Sequence, residues 1–368
     1  MTHPYTNYLL LIGSYAKETD QSIHSVRYTP PSAGDSQNLD PTLTVVDGTS
    51  NIINPSYLTL HPILKLVYVA SEQLDGCGSL AVYDLDASNG TMTFRQSCKV
   101  TDASPCYVNV DASGRCLLSA NYLGGSITLC ALSDDGTITY TAQELFSTGH
   151  GPRLDRQETA HPHAIAFDAK EQRILVTDLG LDEIITYDLD STKPALRKIN
   201  TYKATPGSGP RLFLFHPKHN EVGYAICELN NTIVAFHYDL VDGSLQPKQI
   251  VSTLPDNGKT APAATDSTAA HMAFSPDGLF LYASNRGHDS LVVFAIHHED
   301  GSLQAIQWIA TEGRTPRHFA ITPDGLSLLV ANQDSDSIVV FAIEQTTGLL
   351  RSTDTHLSIA SPSCIIVV

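Results

Sequence analysis

Short apolar runs alternate with turn signals along almost the whole chain, and they do so on a repeating plan. Six segments, 54–92, 104–138, 161–196, 209–245, 269–303 and 315–350, carry the same order of features. Each holds three runs rich in Val, Ile, Leu, Tyr and Phe. A turn such as Ser275-Pro276-Asp277-Gly278 or Thr322-Pro323-Asp324-Gly325 separates the first run from the second. A further turn, such as Asp135-Gly136, Asp242-Gly243 or Asp300-Gly301, follows the third run and leads into a fourth. Glycine in such hairpin turns supplies positive φ without strain. Helical periodicity is nearly absent. Four antiparallel strands per unit, recurring at roughly 45–60 residues, is the pattern of propeller blades, and a β-sandwich would not repeat so regularly.

A seventh unit is split between the two ends. Segment 362–368 (PSCIIVV) matches only the first strand of the pattern, whereas Leu9-Leu10-Leu11-Ile12-Gly13-Ser14-Tyr15 and Ser22-Ile23-His24-Ser25-Val26 match the second and third. Pairing the ends completes a blade and removes an open sheet edge. The predicted fold class is therefore all-β: a seven-bladed β-propeller spanning 1–368 as one domain, closed by pairing of its N- and C-terminal strands.

Composition narrows the partners more than the fold. The chain has 368 residues, 42% of them hydrophobic, and a formal net charge of −17. That charge disfavours nucleic acid and anionic membranes, although a local arginine cluster can still govern a pocket. No apolar stretch is long enough for a spanning helix, and the N-terminus lacks a basic region followed by an apolar one, so a cytoplasmic protein is expected. The seven cysteines are odd in number, mostly sit in apolar strand patterns, and include no CxxC pair. Buried free thiols are expected rather than a disulfide framework or a zinc knuckle.

Antiparallel order puts the start of strand one and the loop after strand two at the same mouth of the channel. The position after the repeat's proline reads Ser56, Cys106, His163, Arg211, His271 (after Ala270), Arg317 and Ser363. The end of strand two reads Ser14, Ser71, Asn121, Asp178, Glu228, Asn285 and Asn332, followed by Tyr15, Glu72, Tyr122, Leu179, Leu229, Arg286 and Gln333. These positions are mostly polar and vary from blade to blade, which suggests a site rather than repeat architecture. His163, Arg211, Glu228 and Arg286 bring an imidazole, a carboxylate and two guanidiniums to adjacent blades, an acid–base and anion-binding set. Two insertions, 148–160 and 252–269, interrupt the spacing above the same mouth. The first, with Arg153, Asp155, Arg156 and Glu158, is expected to be a pocket wall; the second is expected to be surface.

At these residues the chain resembles the lactonase family of seven-bladed propellers, which includes propeller-type 6-phosphogluconolactonases and carboxy-cis,cis-muconate cyclases. The resemblance runs through Gly151-Pro152-Arg153-Leu154-Asp155-Arg156-Gln157-Glu158, His161-Pro162-His163, Asp178-Leu179-Gly180-Leu181-Asp182 and Gly209-Pro210-Arg211. It continues in Glu228-Leu229, Ser284-Asn285-Arg286-Gly287 and Ala331-Asn332-Gln333. It implies that His163, Arg211, Glu228 and Arg286 are catalytic and that no metal or cofactor takes part; it does not settle the substrate, which is expected to be a small anionic one, a phosphorylated sugar lactone such as 6-phosphogluconolactone or a carboxylated lactone. His161, Arg153, Asp178, His271, Arg317 and Asn332 are the expected substrate-binding residues.

Lactone hydrolysis needs an activated water, a stabilised oxyanion and a protonated leaving alkoxide. Glu228 or His163 is placed to act as base, one of Arg211 and Arg286 to hold the oxyanion, and the other to fix a phosphate or carboxylate. The reverse cyclisation of a muconate would use the same groups. His161-x-His163 lacks an evident third metal ligand, and Glu228, Asn121 and Asp178 offer a calcium-like alternative. A WD-type scaffold is the non-enzymatic alternative, but the single Trp308 is followed by Ile309. Nothing in the sequence sets an oligomeric state.

Overall fold

The computed structural model describes residues 7–31, 40–73, 78–100, 104–255 and 267–368. Among these residues twenty-eight strands form seven four-stranded antiparallel sheets, and the only helical turn is the 3₁₀ segment Gln333–Ser335. Blades 2 to 7 follow the chain at 55–99, 105–146, 162–203, 210–252, 268–310 and 316–358. Blade 1 is composite, with the closing strand Pro362–Val367 lying innermost beside Tyr8–Ser14. The split unit expected from the sequence is thus the ring closure.

The burial pattern explains the apolar runs. Second strands such as Leu66–Ser71, Cys116–Asn121 and Ser327–Asn332 are buried along their whole length. Adjacent blades cover both of their faces, so neither face favours polar residues. Outer strands such as Thr91–Lys99 and Leu350–Ser358 include many exposed positions instead. The six described cysteines are free, and five of them are buried.

Recurring hydrogen bonds stitch blade to blade. The Tyr68, Tyr224 and Tyr282 hydroxyls donate to the Gly136, Gly301 and Gly348 carbonyls of the next blade's hairpin at 2.7, 2.6 and 2.8 Å. Those glycines have φ near +70 to +78°, a conformation L side chains rarely adopt. Glutamines on the outer strands clamp the next blade reciprocally. Gln249 Nε2 donates to Leu303 O at 3.0 Å and its Oε1 accepts from Leu303 N at 2.7 Å, and Gln96, Gln143 and Gln307 do the same.

Candidate active site

Six blades open strand one on a proline, and each has a register shift immediately after it. The extra residue of each bulge is Ser56, Cys106, His163, Arg211, Arg317 or Ser363. A bulge re-aims one side chain out of the pleat, and proline tolerates that position because no ladder donor is needed there. All six side chains meet around the axis. A second layer below them is made of Tyr57, Tyr107, Ala164, Leu212, His271 and His318. Its rings pack together, with Tyr57–Tyr107 centroids 4.3 Å apart and His271–His318 centroids 3.8 Å apart.

Blade 6 corrects one placement. There Ala269 pairs with Asn285 as Pro316 pairs with Asn332, so Ala270 is the bulge residue. His271 therefore lies one layer deeper, stacked on His318, and is not equivalent to Arg317. Blade 5 corrects another. Cys227 pairs with Pro210, so Cys227, not Glu228, occupies the row of Asn121 and Asp178. Glu228 is the first loop residue and is equivalent to Tyr15, Glu72, Tyr122, Arg286 and Gln333.

That row and the bulge row enclose a cavity of about 250 Å³ at one mouth, lined by Tyr15, Glu72, Cys106, Tyr122, Arg156, His163, Glu228, Arg286 and Arg317. Arg211 reaches its floor through Glu228. Glu228 is the hub: Arg156 Nη2 lies 2.5 Å from its Oε1, while Arg211 Nε and Arg286 Nη2 lie 2.9 and 2.8 Å from its Oε2. Arg211 also donates to the Ala270 carbonyl. Burial alone would raise the Glu228 pKa, but Arg286, Arg211, Arg156 and His163 outweigh it and hold the carboxyl far below its usual range. Arg211 is drawn down to about 10 by burial and by Arg286, and it remains charged at neutral pH. Arg286 Nε is buried without a hydrogen-bond partner, so this guanidinium keeps a donor free.

His163 sits against the edge of Tyr122, with ring centroids 5.8 Å apart. Among the described residues neither of its ring nitrogens has a hydrogen-bond partner. Burial, reinforced by Arg211, pushes its pKa well below 6.5 despite Glu228, so the imidazole is neutral. Both candidate bases are thus depressed, for opposite reasons: Glu228 is held ionised by guanidiniums, and His163 is held neutral.

The loop 151–158 delivers Arg156. Gln157, fully buried, donates to Leu179 O and Asp182 Oδ1, both at 2.8 Å, and accepts from Arg153 N at 3.1 Å. Asp182 in turn accepts from Gly207 N and Gly209 N at 2.6 and 2.8 Å. This ties the loop to the strand-one entry of blade 5. The expected pocket wall is present, and Arg156 rather than Arg153 is its contribution to the cavity. Arg153 turns to Asp155 and the Leu229 carbonyl at the rim. The insertion 252–269 falls largely outside the described residues.

Three further expected ligands stand behind the cavity. His161 stacks flat on Tyr122 at 4.3 Å, and its two ring nitrogens face the Tyr122 carbonyl and Glu158 at 2.8 and 3.2 Å. It positions Tyr122 and has no nitrogen left for a metal. Asp178 Oδ1 accepts from His161 N and Leu181 N at 2.8 and 3.1 Å, and burial raises its carboxyl to about 6. Asn332 is fully buried and donates to the Thr311 carbonyl at 3.0 Å. Asn121 is likewise spent on Ser126 and Thr128. The calcium-like trio therefore does not assemble. Arg156, Tyr15 and Glu72, which line the cavity, were absent from the expected ligands.

Fold and cavity together define a propeller whose axis ends in a small polar cup with four guanidiniums against two carboxylates. The seven-bladed β-propeller lactonase model matches residues 9–367, and the chain belongs to that family. It is 31% identical over 311 residues to the 6-phosphogluconolactonase of Bacillus subtilis, covering 84% of each chain. It is 34% identical to a 6-phosphogluconolactonase of Formosa agariphila, covering 83% of this chain and 84% of that one. The structure of a periplasmic gluconolactonase from Pseudomonas aeruginosa superposes with a TM-score of 0.88 at 27% identity, covering 99% of both chains.

Proposed function

We propose that this chain hydrolyses a phosphorylated sugar lactone, 6-phosphogluconolactone, to 6-phosphogluconate without a metal. The observation that carries the reading is the excess of guanidinium over carboxylate around a cup that also holds a neutral histidine. The cup is smaller than drug-sized pockets of about 300–1,000 Å³ and suits a sugar acid. His163, neutral and unpartnered, takes a proton from water as the water oxygen bonds to the lactone carbonyl carbon. Arg286, whose side chain lines the cup, stabilises the oxygen that gains charge. The ring C–O bond then breaks, and the proton returns from His163 to the leaving alkoxide. Glu228 supports the reaction by fixing three guanidiniums, which also leaves its oxygens poor cation ligands.

The relatives named 6-phosphogluconolactonase support the phosphorylated substrate. A phosphorylated sugar is membrane-impermeant, which fits a cytoplasmic role in pentose phosphate metabolism. Among the described residues no helix is long and apolar enough to cross a membrane. The test is a panel of 6-phosphogluconolactone, δ-gluconolactone and carboxymuconolactone, each assayed with and without chelator. Hydrolysis of the first, undiminished by chelator, is the expected result. Inertness toward both sugar lactones with cyclisation of a carboxymuconate would replace this reading with a cycloisomerase.

A further inference from the structure

Three of the four guanidiniums in the cup are already engaged: Arg156, Arg211 and Arg286 all converge on Glu228. Arg317 is different. It comes from blade 7, and among the described residues no carboxylate lies within ion-pair distance of it and no hydrogen bond satisfies it. Its guanidinium lies over the Tyr15 ring, whose centroid is 5.0 Å from the guanidinium carbon. The nearby Glu72 carboxylate is occupied by the Tyr15 hydroxyl at 2.7 Å. Tyr15 and Glu72 thus form a wall that keeps the guanidinium charged and oriented without consuming its donors. Burial opposes that charge, but Tyr15, Glu72 and Glu228 overcome it.

Space beside Arg317 is open as well. The bulge positions on either side of it around the ring are Ala270 and Ser363, both short. The cup therefore has two poles. One, built by blades 4 to 6, carries His163, Glu228, Arg211 and Arg286. The other, built by blades 7, 1 and 2, carries Arg317, Tyr15 and Glu72.

We propose that Arg317 is the specificity-determining residue that binds the substrate's anionic substituent, placing it across the axis from the lactone carbonyl at His163. This rests on the lactonase reading above and replaces the expectation that Arg211 or Arg286 holds the phosphate. A planar guanidinium with free donors matches a phosphate or carboxylate with two parallel hydrogen bonds, which an ammonium cannot reproduce. A phosphorylated lactone is then held at both ends, and a neutral one only at the reacting end.

The test compares wild type, Arg317→Gln and Arg317→Lys on 6-phosphogluconolactone and δ-gluconolactone, together with calorimetric binding of 6-phosphogluconate and gluconate. Charge-assisted hydrogen bonds of this kind are worth about 10- to 100-fold in affinity. Arg317→Gln is expected to lower kcat/KM for the phosphorylated lactone at least about tenfold more than for the neutral one, mostly through KM. Arg317→Lys should recover part of that selectivity, and 6-phosphogluconate binding should weaken in the same order. Equal losses on both substrates, or unchanged 6-phosphogluconate affinity in Arg317→Gln, overturn the assignment. The binding arm needs no turnover. A wild type that hydrolyses neither lactone yet binds 6-phosphogluconate through Arg317 refutes the lactonase reading alone. Thermal melts identify a misfolded glutamine variant, in which case the lysine variant decides: full wild-type selectivity in it counts against the fork.

Discussion

Replacing Glu228 by Gln removes one negative charge from the centre of three guanidiniums and leaves its volume unchanged. The carboxylate is 2% exposed, with ion pairs of 2.5, 2.9 and 2.8 Å. Breaking a buried charge set by removing one partner costs about 3–5 kcal/mol, because the remaining charges lose their compensation. The pH dependence follows from the direction of the shift. The folded-state pKa lies far below the unfolded value, so the stabilisation is fully present above the unfolded carboxyl value of about 4.3 and erodes as pH falls toward the folded one. Urea unfolding followed by circular dichroism at pH 7, 5 and 4 should show the variant less stable at pH 7 and 5, with the gap narrowing at pH 4. Turnover should fall by about 100-fold or more on phosphorylated and neutral lactones alike, since the oxyanion donors lose their anchor. Equal midpoints at pH 7, or a gap that stays constant down to pH 4, would refute the hub role.

His163→Asn should lower kcat by about 10²- to 10⁴-fold with little change in melting temperature. In the wild type, the depressed His163 pKa keeps the basic form dominant, so kcat/KM should hold flat through pH 6.5 and fall only at lower pH; a fall centred at or above 6.5 contradicts the assignment. Gln157→Ala leaves the Leu179 carbonyl and Asp182 short of a donor, costing about 1–3 kcal/mol, and should raise KM by releasing Arg156; denaturation and steady-state kinetics check both. Gly180→Ala places a methyl 1.9 Å from the Thr159 carbonyl, next to the His161 clamp on Tyr122. It should destabilise by about 1–3 kcal/mol, measurable by urea unfolding, and a silent substitution would mean that the loop yields freely.

The ring was legible because each blade repeats the same alternation, and because 362–368 lacked the partners that Leu9–Tyr15 supplied. Register was legible only where proline marked the bulge. Ala269-Ala270-His271 carries no such mark, and counting from the alanine put His271 one residue too high. In blade 5 a cysteine stands where other blades place Ser, Asn or Asp, so sequence pattern alone points to the conspicuous Glu228 for that position. The equivalence of Cys227 could have been found by counting back from the strand-three start at Thr232, four loop residues away as in blades 3, 4, 6 and 7. Arg156 lies in a loop without periodicity. Only its buried Gln157 anchor, a tertiary feature, singles it out over Arg153. The outer-strand glutamine clamps were overlooked because one polar residue on a half-wet strand looks ordinary until its partner in the next blade is seen.

The ring closure also fixes an order of events during folding. Ser363 donates to the Gly13 carbonyl across 350 positions of sequence. Blades 2 to 7 are local hairpin stacks that can form as they emerge from the ribosome. Tyr8–Ser14 is made before blades 2 to 7 and acquires its neighbour Pro362–Val367 only after them, so its pairing is the longest-range search in the fold. Until then the Tyr8–Ser14 edge that Pro362–Val367 covers is unpaired. Moving the chain break to the loop between two intact blades, with the present ends joined, would make all seven sheets contiguous. Such a permutant should refold faster and with less aggregation while keeping the same cup.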